Sequence, residues 1–344
     1  MEKDDFQHPD FIWTWRETAR GARQSLWFPY LQSISAKPRS RLWAVRWNGG
    51  ELDIDLSKVD FIMVYGGTVD LPIAFLDSLN QYRIVLSIHR RNMVRPYLFL
   101  PASGPDQDDI LSAQLLCRDN LKSSTYIART IVREKLRTQE TVVPIPASEY
   151  KRLASLRSVD EIRILEAHHA SRYWSIYFER LGLADTISRR GADHPVNAAL
   201  DACSFFLHGI LLRWVLFHKL SPFHGYLHRN AGYPSLVYDL IEPYRVWMDD
   251  AVAGAASSVG THSEKELTAA AIAHLKRLMD VPVYVPLTRQ TVRRKSLLHG
   301  AVLALRAWLL DKQTRFVLPV EGEKKGGRPV QVGFKIPGYP QSPN

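Results

Sequence analysis

The chain has 344 residues, 46% hydrophobic and 23% charged, which is more than one average domain and ample length for a sizeable core. Its net charge of +10 favours a polyanionic partner, nucleic acid or an anionic membrane surface, and says nothing about fold. The two cysteines, Cys117 and Cys203, lack ligand-like spacing, which excludes a zinc ribbon and a disulfide scaffold and fits a reducing compartment.

The opening MEKDDFQHPD is acidic and polar, so no secretory signal is expected. Residues 1–40 hold Phe11, Trp13, Trp15, Trp27 and Phe28 before a break at SISAKPRS, and read as one helix or an irregular N-terminal arm. Residues 41–108 read as a small β-rich domain. RLWAVRW and ELDIDL flank Asn48-Gly49-Gly50, a hairpin signal because Asn and Gly tolerate positive φ. VDFIMVYGG and YRIVLSIHR follow as strands around a helical LPIAFLDSLNQ, then YLFLP, and PASGPDQDD reads as a linker.

From 109 to 318 almost everything reads as helix. One pattern runs over Ile110–Thr141, with a possible break at Lys122–Ser124, and SVDEIRILEAHHASRYWSIYFERLG gives a second. Pro195 opens a third, and Ser263 with Glu266 has capping-box spacing for a helix running to Met279. A last helix is expected over Thr291–Leu310. Residues 319–344, rich in Gly, Pro and Lys, read as a disordered tail. The fold class is therefore α+β and multidomain, a β-rich N-terminal domain before a larger all-α domain. The most apolar run, Ser204–Leu220, is interrupted by His208, Arg213 and His218, so it reads as a buried helix and not a membrane span. A cytoplasmic protein is the expectation.

Four residues stand out chemically. Glu166 lies on an apolar helical stripe with Ile162, Ala170, Tyr173 and Tyr177, where a snorkelling or Arg-paired Glu competes with a metal ligand or general base. Asp239 and Glu242 share a face if helical, with Asp249 one heptad beyond Glu242, and Pro243 removes a backbone bond between them, so the chain kinks there. A surface acid pair before a Pro-initiated helix is the plain alternative. His228 sits in a loop-like stretch after His224, with Gly225 and Pro222 weakening a zinc-type helix pair. Buried acids need a compensating cation or hydrogen bonds, and a set of carboxylates with one histidine suits Mg²⁺ or Mn²⁺ better than structural zinc. Two basic clusters, Arg118, Lys122, Arg129, Arg133 and Arg137 around one helix and Arg289, Arg293, Arg294 and Lys295 before the last, read as solvated faces or phosphate contacts.

The stretch SPFHGYLHRNAGYPSLVYDLIEPYRVWMD resembles the signature of the CRISPR-associated spacer-acquisition integrase (the first-numbered Cas protein). LEAHHASRYW resembles that family's catalytic-glutamate helix, HPVNAAL its Asn-bearing helix, and TYIARTIVREKLRTQ the first long helix of its helical domain. The likeness covers about residues 41–310. Ala167, Tyr233 and Ser204 depart from residues frequent in the family. The resemblance implies Glu166, His228 and Glu242 as metal ligands, with Asp239 as a further catalytic-site acid. It implies a metal-dependent DNA endonuclease and integrase that inserts short foreign DNA into the CRISPR repeat array. The implied partners are double-stranded DNA (prespacer and repeat), the small second-numbered Cas protein and a second copy, through dimerisation of the β-rich domain. A transposon-type or partner-independent integrase with the same metal site, and a non-catalytic DNA-binding scaffold, are the competing readings.

Overall fold

A computed structural model of the protein describes residues 23–90, 96–102, 108–183, 187–189, 194–323, 327, 329–331 and 334. The described residues before Asp106, together with Leu212–Lys219, form one compact unit, and the others form a second.

The first unit is built on a six-stranded mixed sheet of order β3-β2-β1-β4-β5-β6, with β1 (Gln24–Ala36), β2 (Leu42–Trp47), β3 (Gly50–Asp55), β4 (Val59–Gly67), β5 (Val85–His89) and β6 (Tyr97–Phe99). The Asn48-Gly49 turn closes the β2–β3 hairpin, whose last pair is Trp47 with Gly50. β4 runs parallel to both β1 and β5. A parallel neighbour needs a crossover, and helix α1 (Ile73–Tyr82) supplies it, burying Phe75 and Leu79. Phe75 meets Trp43 of β2 edge-on, ring centroids 5.0 Å apart.

Residues 24–36 thus overturn the helix-or-arm expectation: they form a strand inside the sheet. The reason is local. Gln24–Phe28 are all buried, so no polar alternation marks them as strand. Tyr30 then takes φ +53° and the register with β2 slips between Leu31 and Ser33, which resets the period. Phe11, Trp13 and Trp15 lie outside the described residues.

The second unit is mainly helical: α2 (Ile110–Asp119), α3 (Leu121–Gln139), α4 (Ala147–Ser155), α5 (Val159–Arg180), most of α6 (Pro195–Phe217), α7 (Ser235–Ile241), α8 (Val246–Val259), α9 (Glu264–Asp280) and α10 (Ser296–Leu309). The long pattern after Ile110 breaks at Asn120, two residues before the expected place, because Asn120 caps α3 by accepting from the amide of Ser123. A reciprocal capping box of Ser158 and Glu161 starts α5. Ser263 caps α9, accepting from Glu266 N at 3.4 Å.

Two expectations fail here. Residues 291–295 do not belong to the last helix: β7 (Pro282–Val285) and β8 (Gln290–Arg293) form an antiparallel hairpin first. The tail is ordered in part, since β9 (Val330–Gln331) pairs with β8 and Phe334 is buried. Four-residue strands are too short for period-2 alternation to register. Residues 335–344 lie outside the described residues.

Helix α6 is long and apolar enough to cross a membrane by length and composition, but 67% of its apolar window is buried inside the protein. It is a core helix. Its last turn, from Leu212, belongs to the first unit, where buried Arg213 donates from Nε to the Arg83 carbonyl at 3.1 Å. Burial pushes the Arg213 guanidinium down to about 10, with Asp60 opposing.

Candidate active site

The centre of the site is the turn between α7 and α8. Pro243 has no amide to offer the Asp239 carbonyl, so the Glu242 amide takes that oxygen instead, and Glu242–Tyr244 tighten into a 3₁₀ turn. The kink expected at Pro243 is thereby realised as a change of pitch. It buries Asp239 and Glu242 fully, at 0% and 3% exposure.

Asp239 does not face open space. Its Oδ2 accepts from the amides of Tyr226 at 2.5 Å and Leu227 at 2.9 Å, and its Oδ1 accepts from the amide of His228 at 2.9 Å. The same Oδ1 lies 2.8 Å from His228 Nδ1. The carboxylate therefore organises the 225–228 loop and fixes the imidazole by one nitrogen, so that Nε2 is the nitrogen that could take a metal. Burial alone would push the His228 imidazolium down, but Asp239 outweighs it and holds the group above its ordinary value. Asp239 is a positioning residue by this geometry. Ser235 completes the loop: its Oγ accepts from Gly225 N at 3.0 Å and donates to Phe223 O at 2.9 Å.

Gly225 has no room for a side chain. A Cβ there would come within 2.5 Å of the His228 carbonyl oxygen and 2.8 Å of Asp239 Oδ2. Gly225→Ala should therefore cost about 1–3 kcal/mol of stability by overpacking, read as a fall in thermal midpoint, with His228 displaced in a variant structure. An unchanged midpoint would mean the loop is not held as described.

A second cluster joins two acids through a residue that sequence reasoning missed. Lys135 of α3, 5% exposed, contacts Glu166 Oε1 of α5 and lies 2.6 Å from Glu242 Oε2. Glu242 Oε1 accepts from Arg245 Nη1 at 3.0 Å. Burial would push the Lys135 ammonium down, yet Glu242 and then Glu166 hold it above its ordinary value. The Glu242 carboxyl is pushed up by burial and held far below its usual range by Lys135, Arg245 and His228. A signal for Lys135 was present in the sequence: it continues the buried stripe of Ala128 and Ile131 at −7 and −4, the same pattern that marks Glu166.

Glu166 is positioned from below. On α5, Tyr173 donates to Asp249 Oδ2 at 2.7 Å and Tyr177 donates to the Asp249 carbonyl at 2.8 Å, tying that helix to α8. Burial pushes the Asp249 carboxyl up to about 6, against the pull of Tyr173 and Arg245.

The structure thus brings Glu166 and Glu242 to one ammonium, and His228 to Asp239. Among the described residues, no three His, Cys, Asp or Glu side chains are already gathered tightly enough to hold a metal. Glu242 Oε2 is nonetheless buried, with the Lys135 ammonium 2.6 Å away. A buried carboxylate oxygen faced by a mobile-stemmed ammonium, a second carboxylate and an imidazole make a donor set that fits Mg²⁺ or Mn²⁺.

The basic clusters are partly spent within the fold. Arg118 ends α2, so it is not continuous with the α3 residues as the spacing implied, and it donates to the Gly225 and Arg229 carbonyls at 3.1 Å each. Arg133 and Arg137 pair with Glu134, Lys295 with Asp280, and Arg294 with Glu321.

Residues 36–268 match the family model described as CRISPR associated protein Cas1, a span that contains Lys135, Glu166, His228, Asp239 and Glu242. The chain belongs to the Cas1 family. A CRISPR-associated endonuclease Cas1 2 from Pyrobaculum aerophilum is 31% identical over 266 residues, 70% of this chain and 88% of that relative. Among solved structures, a casposase bound to an integration product shares the fold with a TM-score of 0.74 at 17% identity, covering 86% of this chain and 93% of the other. A Cas1 protein from Thermotoga maritima does so with 0.71 at 20% identity, covering 88% of this chain and 100% of the other. The resemblance read from the signature stretch and the α+β order of a β-rich part before a helical one both hold for this Cas1-family chain.

Proposed function

We propose that the chain is a metal-dependent DNA endonuclease and integrase that inserts short foreign DNA into the CRISPR repeat array. Family membership and the endonuclease named among its relatives support the class of activity. The observation that carries the metal is the Lys135 bridge between Glu166 and Glu242, beside an imidazole whose Nδ1 is already fixed by Asp239.

Glu166, His228 and Glu242 would hold Mg²⁺ or Mn²⁺. When bound, such an ion polarises a scissile phosphate and stabilises the charge that builds on it during attack by a 3′-hydroxyl or by water. The chain's own residues do the rest. Asp239 keeps the imidazole in the metal-binding tautomer, Arg245 holds one oxygen of Glu242 so that the other is presented, and the Tyr173–Asp249 pair fixes the helix bearing Glu166. Basic side chains around α3 would align the phosphate backbone, and that binding should weaken as salt rises. The resemblance supports a homodimer through the β-rich unit, the second-numbered Cas protein as partner, and action in the cytoplasm.

Mixing the protein, that partner, labelled prespacer DNA and a repeat-bearing plasmid with Mn²⁺ or Mg²⁺ tests the reading. Joining should require metal and be lost in Glu166→Ala. Equal, metal-independent joining by both proteins would overturn it. A DNA-binding scaffold, the competing class, would show no Mn²⁺-linked rise in thermal midpoint that disappears in His228→Ala.

A further inference from the structure

Lys135 is an unusual neighbour for metal ligands. Its ammonium reaches in from α3, a separate helix packed against the segments that bear Glu166 and Glu242, and it is nearly inaccessible to water. It touches one oxygen of each acid. Toward Glu242 Oε2 the contact is 2.6 Å. The other oxygen of Glu242 belongs to Arg245. Formal charges of the four groups therefore cancel with no metal present: two carboxylates, one ammonium, one guanidinium.

We infer that Lys135 is an intramolecular place-holder for the divalent cation, holding Glu166 and Glu242 together in the metal-free protein and leaving at least one of them when the metal enters. This rests on the metal reading above. A dication arriving while the ammonium stayed would leave the buried pocket with two uncompensated positive charges beside His228. Retreat of the ammonium on its flexible four-carbon stem relieves one of them. The same exchange gives selectivity for charge. A monovalent ion replacing the ammonium gains no electrostatic attraction, whereas a dication doubles it. Lys135 is in this sense a specificity-determining and positioning residue, not a catalytic one.

The test compares Mn²⁺ binding by wild type and Lys135→Met, using calorimetry and the electron paramagnetic resonance of free Mn²⁺, with wild-type crystals soaked in Mn²⁺ alongside. The variant should melt lower without metal, yet bind Mn²⁺ at least about tenfold more tightly, because a competing unit charge has left the pocket. A merely structural lysine would give weaker metal binding when removed. In the soaked crystal Lys135 Nζ should no longer contact both carboxylates. Metal on Glu166 and Glu242 with Nζ still touching both, or a variant that binds no tighter than wild type, overturns the inference and leaves the metal reading intact. Absence of Mn²⁺ from these carboxylates in wild type overturns both. Should Lys135→Met fail to fold, the soaked wild-type crystal decides by itself.

Discussion

Asp239→Ala is expected to destabilise the protein by about 3–5 kcal/mol, since two buried amides, the half-buried amide of His228 and its imidazole lose their acceptor and each orphaned buried donor costs about 1–3 kcal/mol. The sum is held below simple addition because water can enter the space the carboxylate leaves. Function should fall with it by a different route. Without its anchor at Nδ1 the His228 ring can rotate and change tautomer, and loss of such an outer partner typically weakens metal affinity about 10–100-fold. Asp239→Asn keeps one carbonyl oxygen and should lie between the two proteins in both measurements. Thermal melting and Mn²⁺ titration of the three proteins provide the check. A midpoint and an affinity unchanged in Asp239→Ala would mean that the loop 225–228 is held by something else.

Glu242→Gln should slow metal-supported DNA joining by about a thousandfold or more, which corresponds to about 4 kcal/mol of lost transition-state stabilisation. The substitution keeps shape and removes charge. Lys135 retains only Glu166, and the half-buried Arg245 loses its ion partner at Glu242. The pocket's own charges then sum to a surplus of one positive before any metal arrives. Mn²⁺ affinity should fall together with the rate, and stability should drop as well, since removing one member of a buried ion network costs about 3–5 kcal/mol. Rates measured at saturating Mn²⁺ and below the variant's melting range separate these effects. Joining within tenfold of wild type under those conditions would exclude Glu242 from the reacting centre.

Much of this site could be read from the chain, and the exceptions have physical causes. Glu166 was visible because an acid interrupts a regular apolar stripe. Asp239 and Glu242 were visible because Pro243 forces a break beside them. The division of labour between them was not, since it depends on which oxygen meets the Tyr226, Leu227 and His228 amides, a contact between segments more than ten residues apart. Lys135 was hidden by company: in a helix that also carries Arg129, Arg133 and Arg137, one more cation looks like surface charge. Its place on the stripe of Ala128 and Ile131, and the burial that goes with it, separates it from them. In the fold, β1 escaped notice because a strand covered on both faces has no alternation, and β7 and β8 because four residues are too few to show one.

The division of α6 between the two units has a consequence for how the chain can be made. Leu212–Lys219 complete the first unit, yet they are synthesised more than a hundred residues after β5. Arg213, buried against the Arg83 carbonyl, and Phe217, beneath the Arg83 guanidinium at 5.3 Å, are supplied from that late segment. On the ribosome, the sheet must wait with an uncovered seat until most of the helical portion has emerged. A fragment ending near residue 102 would lack Leu212–Lys219 permanently, and with them the Arg213 and Phe217 partners of Arg83.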